Sequence, residues 1–133
     1  MARQYKNLEI YHLAYSFALN IYEKTKSFPP SEKDNITSQI RRAAVSISIN
    51  IAEGSTRNTK KAFLQFLVYS FGSGKEIEVL LNLSKDLKFL EEKEFTNLSG
   101  ELDHLMAKLF LFMRCLESQV PGKGTIFFQK FKD

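Results

Sequence analysis

Two Glu-x-x-His motifs are the parts of this sequence that could bind a redox metal. They run from Glu9 to His12 and from Glu101 to His104. In a four-helix bundle, two such motifs completed by a glutamate from each remaining helix form the pattern of di-iron proteins. Glu53 and Glu76 could supply those two glutamates. Carboxylate-bridged metal chemistry is therefore the first function to test.

Helical spacing argues against this metal site. At about 100° per residue, His12 points away from Ile10, and His104 lies roughly opposite Leu105 and Leu109. The two histidines would also differ in height, since His104 is roughly 21 Å from the end where the first helix starts. We interpret both as solvated and predict no metal and no cofactor. A small metalloenzyme is the least favoured of three functional hypotheses.

Other catalytic signatures are absent from the sequence. No Gly-rich phosphate loop, Cys-x-x-Cys pair or nucleophile elbow occurs, and Gly72-Ser73-Gly74 lies inside a helical pattern. The single cysteine, Cys115, has no partner for an internal disulfide and no neighbouring motif typical of a reactive thiol. We therefore predict a protein that is not an enzyme.

The composition is typical of one globular domain. The chain has 133 residues, 44% of them apolar, and a formal net charge of +4. No apolar run approaches the roughly twenty residues of a membrane span, and the amino-terminal segment lacks the apolar region of a secretory signal. We expect a cytoplasmic protein without a membrane partner. A charge of +4 permits nucleic-acid binding but is too small to indicate it alone.

The stretch from Ser31 to Arg57 predicts a helix with two different faces. One stripe is apolar and consists of Ile36, Ile40, Ala43, Ile47 and Ile51. A second stripe, which we call the polar stripe, consists of Gln39, Arg42, Ser46, Asn50 and Glu53. Val45 and Ile49 continue the apolar surface beyond it. A polar row bordered by apolar residues is typical of a contact between proteins, so we expect a homo-oligomer.

Two other interpretations of the polar stripe stay open. It could be an exposed face that happens to be narrow, or it could line an active cleft, because such residues orient substrates. An arginine near a glutamate is more often a structural pair that specifies assembly. We therefore favour the interface.

Three segments of the sequence resemble a known family. They are NLEIYHLAYSFALNIY, SQIRRAAVSISINIAEGSTR and FLVYSFGSGKEIEVLL, in chain order. This family is the four-helix-bundle family encoded in intervening sequences of bacterial 23S ribosomal RNA genes, sometimes labelled S23 ribosomal protein. It is similar to the accessory protein of diversity-generating retroelements. The resemblance covers about residues 7 to 118. The residues that match its pattern are Gln39, Arg42, Ser46, Asn50, Glu53, Gly54, Gly72, Ser73 and Glu76.

The resemblance implies an up-down-up-down bundle that assembles into a ring, usually a pentamer, without established enzymatic activity. For the retroelement relatives it also implies binding to nucleic acid and to a reverse transcriptase. The label does not make this chain a component of the ribosome.

The helix signals predict four antiparallel elements joined by short loops. The first runs from about Leu8 to Lys26 with Asn7 as its cap and buries Ile10, Ala14, Phe17, Ala18 and Ile21. The second starts after Pro30, capped by Ser31 with Asp34 in a capping box, and closes at Gly54 as a left-handed residue beyond the helix end.

Thr59 is expected to cap a third helix over about Lys60 to Phe89. Gly72 and Gly74 in its middle are interpreted as sites of close approach, with a break or bend as the alternative.

The acids Glu91 to Glu94 mark the start of the fourth helix, which ends by Gln119. Its predicted core residues are Leu98, Leu102, Leu105, Leu109, Phe112, Met113 and Leu116. Residues 1–120 would form the bundle. Residues 121–133 would form a tail that is either disordered or docked on a neighbouring subunit, with four apolar side chains at Ile126, Phe127, Phe128 and Phe131.

Charge in such a bundle would concentrate at one end. One end collects the start of the first helix, the second loop and the C-terminal part of the chain. It has nine cationic and four acidic residues, whereas the other end has six cationic and seven acidic residues. In a parallel ring this end would form a basic rim for a polyanion. The candidate nucleic-acid residues are Arg3, Lys6, Arg57, Lys60 and Lys61, with Arg41 on the outer wall.

We therefore expect a ring-forming bundle that binds RNA or structured DNA without reading sequence, and that presents it to a partner protein such as a reverse transcriptase. The alternative is a structural or protein-binding oligomer whose surface charge is incidental.

Overall fold

The structure, a computed structural model, describes residues 4–121, and this part of the chain is all-helical without a strand. Its helices are α1 (Glu9–Thr25), α2 (Ile36–Ser55), α3 (Lys60–Asp86) and α4 (Glu92–Ser118), with 3₁₀ turns at Tyr5–Asn7 and Pro30–Glu32. The predicted all-α class and four-helix bundle are confirmed. Arg3 and all of the predicted tail except Pro121 lie outside the described residues.

One apolar core runs between the four helices. α2 packs against α1 and α3, and α4 packs against α3 and α1. Every predicted core residue of α1, α2 and α4 is buried except Phe112, which is half-buried and stacks edge-to-face on Phe63 at 5.7 Å between ring centroids. The helical period therefore identified the buried faces correctly.

Cross-helix contacts define the two ends of the bundle. Glu9 of α1 lies 3.5 Å from Lys108 of α4, and Lys24 lies 4.0 Å from Glu94, so residue numbers rise along α1 and fall along α4. The start of α1 and the end of α4 therefore share one end. The α2–α3 turn lies there too, because Arg41 near the start of α2 bonds to Thr25 at the end of α1, and the 3₁₀ turn before α1 contacts α2. At the other end, the ring centroids of Phe28 and Phe89 are 5.6 Å apart.

Two predicted helix starts are confirmed. The Thr59 side chain accepts a hydrogen bond from Ala62 N at 3.1 Å, which caps α3. At α4, Glu91 and Glu94 form a reciprocal capping box in which each side chain accepts from the other residue's backbone N–H.

The other two predicted caps are wrong. Asn7 belongs to a 3₁₀ turn and α1 begins after Leu8, while Ser31 lies in the turn that follows Pro29 and α2 begins only at Ile36. Consecutive prolines hold the chain extended and then initiate a 3₁₀ turn, and this turn takes up Ser31. α2 therefore starts later than the capping-box pattern indicates.

α3 ends earlier than predicted, at Asp86. Lys88 has a φ of 66°, and Phe89 N donates to Ser84 O at 2.8 Å, which closes the helix with a left-handed residue. This turn places Phe89 beside Phe28.

Gly54 does not play the predicted role of a left-handed residue beyond a helix end. It is buried within α2, and a Cβ at this position would lie 2.7 Å from Phe66 Cβ and 2.8 Å from Phe63 Cδ1. The glycine is needed because two aromatic side chains of α3 pack directly onto the α2 backbone.

The two glycines inside α3 have different surroundings. A Cβ at Gly74 would overlap Met106 Sδ, so this glycine makes room for the Met106 side chain of α4. A Cβ at Gly72 would meet nothing within 4 Å. The alternative of a break is wrong, because α3 runs uninterrupted from Lys60 to Asp86.

Candidate assembly face and basic rim

The polar stripe of α2 lies beside the glycine-containing stretch of α3. Ser73 Oγ donates to Ser46 Oγ at 3.0 Å, and Asn50 Nδ2 donates to Ser46 O and Oγ at 2.9 and 3.0 Å. Next to them, Ser70 Oγ donates to the buried Ile47 carbonyl at 2.9 Å. The hydroxyl and amide groups at the centre of the stripe are therefore satisfied within one chain, where the sequence predicted pairing across a subunit contact.

The charged residues of this surface have no such partners. Arg42, Glu53 and Glu76 are exposed, and within residues 4–121 their side chains form no ion pair or hydrogen bond. Gln39 is exposed too, but its Nε2 donates to Asn35 Oδ1 at 3.1 Å. Three ionised groups of both signs are thus available to a second surface.

The opposite side of the bundle is different because its polar groups pair across helices. Asn20 Nδ2 donates to both carboxylate oxygens of Glu101 at 2.8 and 3.0 Å. The Glu9–Lys108 and Lys24–Glu94 pairs lie on the same side. These pairs stabilise the contact between α1 and α4, whereas Arg42, Glu53 and Glu76 on the α2–α3 side have none among the described residues.

Large apolar side chains flank the unpaired charges. Ile49 of α2 is 48% exposed, and Tyr69, Val79 and Leu83 of α3 are 53%, 65% and 42% exposed. The α3 residues recur with Gly72 and Glu76 at spacings of three and four, so they form one stripe along the helix. We call the polar stripe together with this α3 stripe the assembly face. Sequence reasoning named Ile49 beside the polar stripe but did not identify Val79 and Leu83, although their spacing was visible.

Exposed apolar surface continues onto α1. Tyr15, Leu19 and Tyr22 are all exposed, and the Tyr11 and Tyr15 ring centroids are 6.0 Å apart. Burial, with a smaller contribution from Tyr5 and Tyr15, raises the pKa of the Tyr11 phenol. Among the described residues, the helices lack the length and apolar character needed to cross a membrane.

Arg41 lies away from the other candidate nucleic-acid residues. Its Nε donates to Thr25 Oγ1 at 2.8 Å, its Nη2 donates to Tyr22 O at 3.3 Å, and its guanidinium carbon is 4.7 Å from the Tyr22 ring centroid. These contacts hold it against the carboxyl end of α1. Arg41 therefore serves the α1–α2 contact and is remote from the start of α3.

The remaining described candidates meet at one end of the bundle. Lys6, Arg57, Lys60 and Lys61 are exposed near the start of α1 and the α2–α3 turn. The Arg57 guanidinium lies over the Phe66 ring at 4.6 Å. Lys60 and Lys61 open α3 and form no ion pair within the described part of the chain. We call these four residues the basic rim.

The charge excess at this end is smaller over the described residues than over the whole chain. The basic rim and Arg114 provide five cations against Glu9, Glu53 and Glu117. Arg3, Lys123, Lys130 and Lys132 belong to the same predicted cluster and lie outside the described residues.

The Glu-x-x-His motifs do not converge. His12 and His104 are both exposed, which confirms that neither faces the core. In residues 4–121 no three acidic, histidine or cysteine side chains are arranged to hold a metal ion. Glu101 is instead bound to Asn20, and Glu9 to Lys108.

Comparison with known proteins gives the family. The family model of the 23S rRNA-intervening sequence protein matches residues 6–110. A solved structure from Bacteroides thetaiotaomicron VPI-5482, described as a protein of unknown function from the S23 ribosomal protein family, is similar with a TM-score of 0.73 and 19% identity. The match covers 79% of this chain and 95% of that one, and at this identity it supports the fold alone. No match was found among curated proteins. The chain belongs to the 23S rRNA-intervening sequence protein family.

Proposed function

We propose that this protein is a non-enzymatic, up-down-up-down four-helix bundle that assembles into a ring and binds RNA or structured DNA through its basic rim. The ring is most simply a pentamer, as the family resemblance implies. Nucleic acid held on the rim would be presented to a partner protein, for which a reverse transcriptase is the candidate. Phosphate contacts of this type position the nucleic acid without reading its bases.

The observation that carries nucleic-acid binding is the position of Lys60 and Lys61. They open α3 as exposed cations without ionic partners in residues 4–121. The positive end of the helix dipole lies at the same place and also favours a phosphate. One subunit offers few such charges, whereas a ring that repeats them around one edge would bind a polyanion much more strongly.

The assembly face supports the ring. It combines exposed apolar side chains with charges of both signs that have no partner in the described chain. A contact with a second copy would bury the apolar groups and pair the charges. Pairing Arg42 with a neighbour's carboxylate would also specify one register of assembly.

The nucleic-acid proposal is tested by the salt dependence of RNA retention. We expect the wild-type chain to retain structured RNA at low salt, with a logarithm of affinity that falls linearly as the logarithm of the salt concentration rises. RNAs of unrelated sequence but similar shape should bind alike. Absence of retention by an intact oligomer at low salt would leave the alternative, a structural or protein-binding oligomer.

A leucine at Gly72 is expected to disrupt assembly without weakening the helix. An interior helix glycine costs about 1 kcal/mol relative to alanine, and leucine is also a good helix former. Because Gly72 is exposed and a Cβ there would meet no atom within 4 Å, the subunit should accommodate the larger side chain. We therefore expect its solution mass, measured by light scattering, to fall towards 15.3 kDa.

Gly100 provides the matched control for this substitution. It is exposed on α4, where an added Cβ would likewise meet nothing within 4 Å. Gly100→Leu should retain the wild-type mass. If Gly72→Leu also retained it, close approach of another subunit at Gly72 would be ruled out.

A further inference from the structure

A small cavity lies where α1 ends and α2 begins, at the end of the bundle opposite the basic rim. It opens to solvent, has a volume of about 270 Å³ and has three cationic side chains in its wall, Lys26, Lys33 and Arg41. The hydroxyl residues Thr25 and Thr37 complete the polar part. The rest of its wall is Phe28, Pro29 and Pro30. The wall thus contains cations and hydroxyls but no carboxylate.

Thr37 provides an independent sign of a ligand. Its residue surface is only 7% exposed, and within the described chain its Oγ1 is buried without a hydrogen-bond partner. The second hydroxyl is fully engaged, because Thr25 Oγ1 donates to Ile21 O at 2.7 Å and accepts from Arg41 Nε at 2.8 Å. A buried hydroxyl without a partner is rare in folded proteins. Thr37 therefore has an unused donor at the cavity wall.

The start of α2 adds a favourable field for a negative charge. Thr37 is the second residue of the helix, and the N-cap residue Asn35 makes no side-chain capping bond. An acid also lies at this helix start: Glu32 accepts from Asn35 Nδ2 at 3.0 Å and lies 3.5 Å from Ile36 N. Its carboxylate opposes an anion at this helix end and is not part of the cavity wall.

The cations of the wall differ in how firmly they are held. Two hydrogen bonds to α1 fix Arg41, so its remaining N–H donors are preorganised. Lys26 pairs with Glu23 at 2.9 Å. Lys33 is exposed and has no ion pair in residues 4–121, so its ammonium group is available to a ligand.

We propose that this cavity binds a phosphate group, either free phosphate or the phosphate of a small phosphomonoester. Arg41 and Lys33 would supply charge-assisted hydrogen bonds, and Thr37 would donate its free hydroxyl to a third oxygen. Because the site and the basic rim are at opposite ends of the bundle, phosphate binding here is independent of the nucleic-acid proposal.

The test uses the full chain and inorganic phosphate. We expect millimolar phosphate to raise the melting temperature, whereas sodium chloride at the same ionic strength should not. Thr37→Val keeps the shape of the side chain and removes the hydroxyl. It should melt at a higher temperature than wild type without phosphate, because an unsatisfied buried group is lost, and it should lose most of the phosphate-induced shift.

Two lysine variants complete the experiment. Lys33→Met should also lose most of the shift, whereas Lys88→Met, a change of equal charge at the same end of the bundle but outside the cavity, should keep it. Adenosine monophosphate distinguishes the two sources: a Thr37-dependent shift with this probe indicates a phosphomonoester, and a shift with inorganic phosphate alone indicates the free anion. Equal shifts in wild type and Thr37→Val, or no shift in wild type, would overturn the proposal.

Discussion

Arg42→Glu is expected to reduce the proposed ring to a monomer of 15.3 kDa in solution, as measured by light scattering. Arg42 is exposed and unpaired in the described chain, and the exposed apolar residue Ile49 lies on the same helix. In an assembled contact it would face a carboxylate of the neighbouring subunit. Removing one member of such a buried charge pair typically costs about 2 to 5 kcal/mol, and reversal adds like-charge repulsion.

The effect of Arg42→Glu on the fold of the subunit should be small. Because the side chain makes no hydrogen bond or ion pair within residues 4–121, its loss leaves no buried group unsatisfied. Circular dichroism should therefore report an unchanged helix content. Lys93→Glu, the same charge reversal at an exposed position on α4, serves as the control and should retain the mass of the assembly.

A charge-swapped pair can identify the residue that Arg42 meets. If the partner is Glu76 of the neighbour, Arg42→Glu combined with Glu76→Arg should restore the assembled mass; if it is Glu53, the combination with Glu53→Arg should do so. An Arg42→Glu protein that keeps its full mass would contradict the assembly face. A wild-type chain that is already monomeric would contradict the ring itself.

Charge reversal of both Lys60 and Lys61 is expected to weaken the binding of structured RNA at low salt by about tenfold or more. Each lysine that contacts a phosphate contributes about one unit to the slope of log affinity against log salt, so the slope should fall by about two for each bound pair of lysines. Filter retention or fluorescence anisotropy across a salt series measures both quantities.

The position of these lysines makes the experiment selective for binding. They are the first residues of α3, where acidic side chains are favourable because they face the positive end of the helix dipole. Lys60→Glu with Lys61→Glu should therefore leave the helix intact, and light scattering should report an unchanged oligomer.

Lys88→Glu with Lys93→Glu is the matched control, because it applies the same charge change at the other end of the bundle. We expect it to reduce the affinity far less. Equal losses in the two double variants would indicate a response to net charge, and unchanged retention in the Lys60 and Lys61 variant would remove the proposed rim. In either case the structural alternative would gain support.

The sequence alone determined the helices and most of their buried faces. Apolar residues repeat with the helical period in each helix, as Ile40 and Ile47 do in α2. This repeat places them on one face of their own helix, whichever neighbour covers that face. The cap at Thr59 is equally local, since it joins residues three positions apart. The start of α4 was predicted from its acids, but the capping box between Glu91 and Glu94 was not. Helical spacing alone also predicted that both histidines of the Glu-x-x-His motifs point outward.

The missed caps have a local cause of a different kind. Ser31 had the pattern of a capping box, but two preceding prolines favoured a 3₁₀ turn that competed with the helix start. The capping-box pattern is present in the sequence, but the backbone restriction imposed by the prolines has the stronger effect on where the helix begins.

Only the tertiary structure decided which groups lie against another helix. Gly54 is packed under Phe63 and Phe66, Ser46 is bonded to Ser73, and Arg41 is fixed to the end of α1. The unpaired hydroxyl of Thr37 and the cations around it also come together only through the packing of α1 against α2. These contacts join residues far apart in the chain, and they depend on the rotation and height of neighbouring helices, which no periodicity within a single helix specifies.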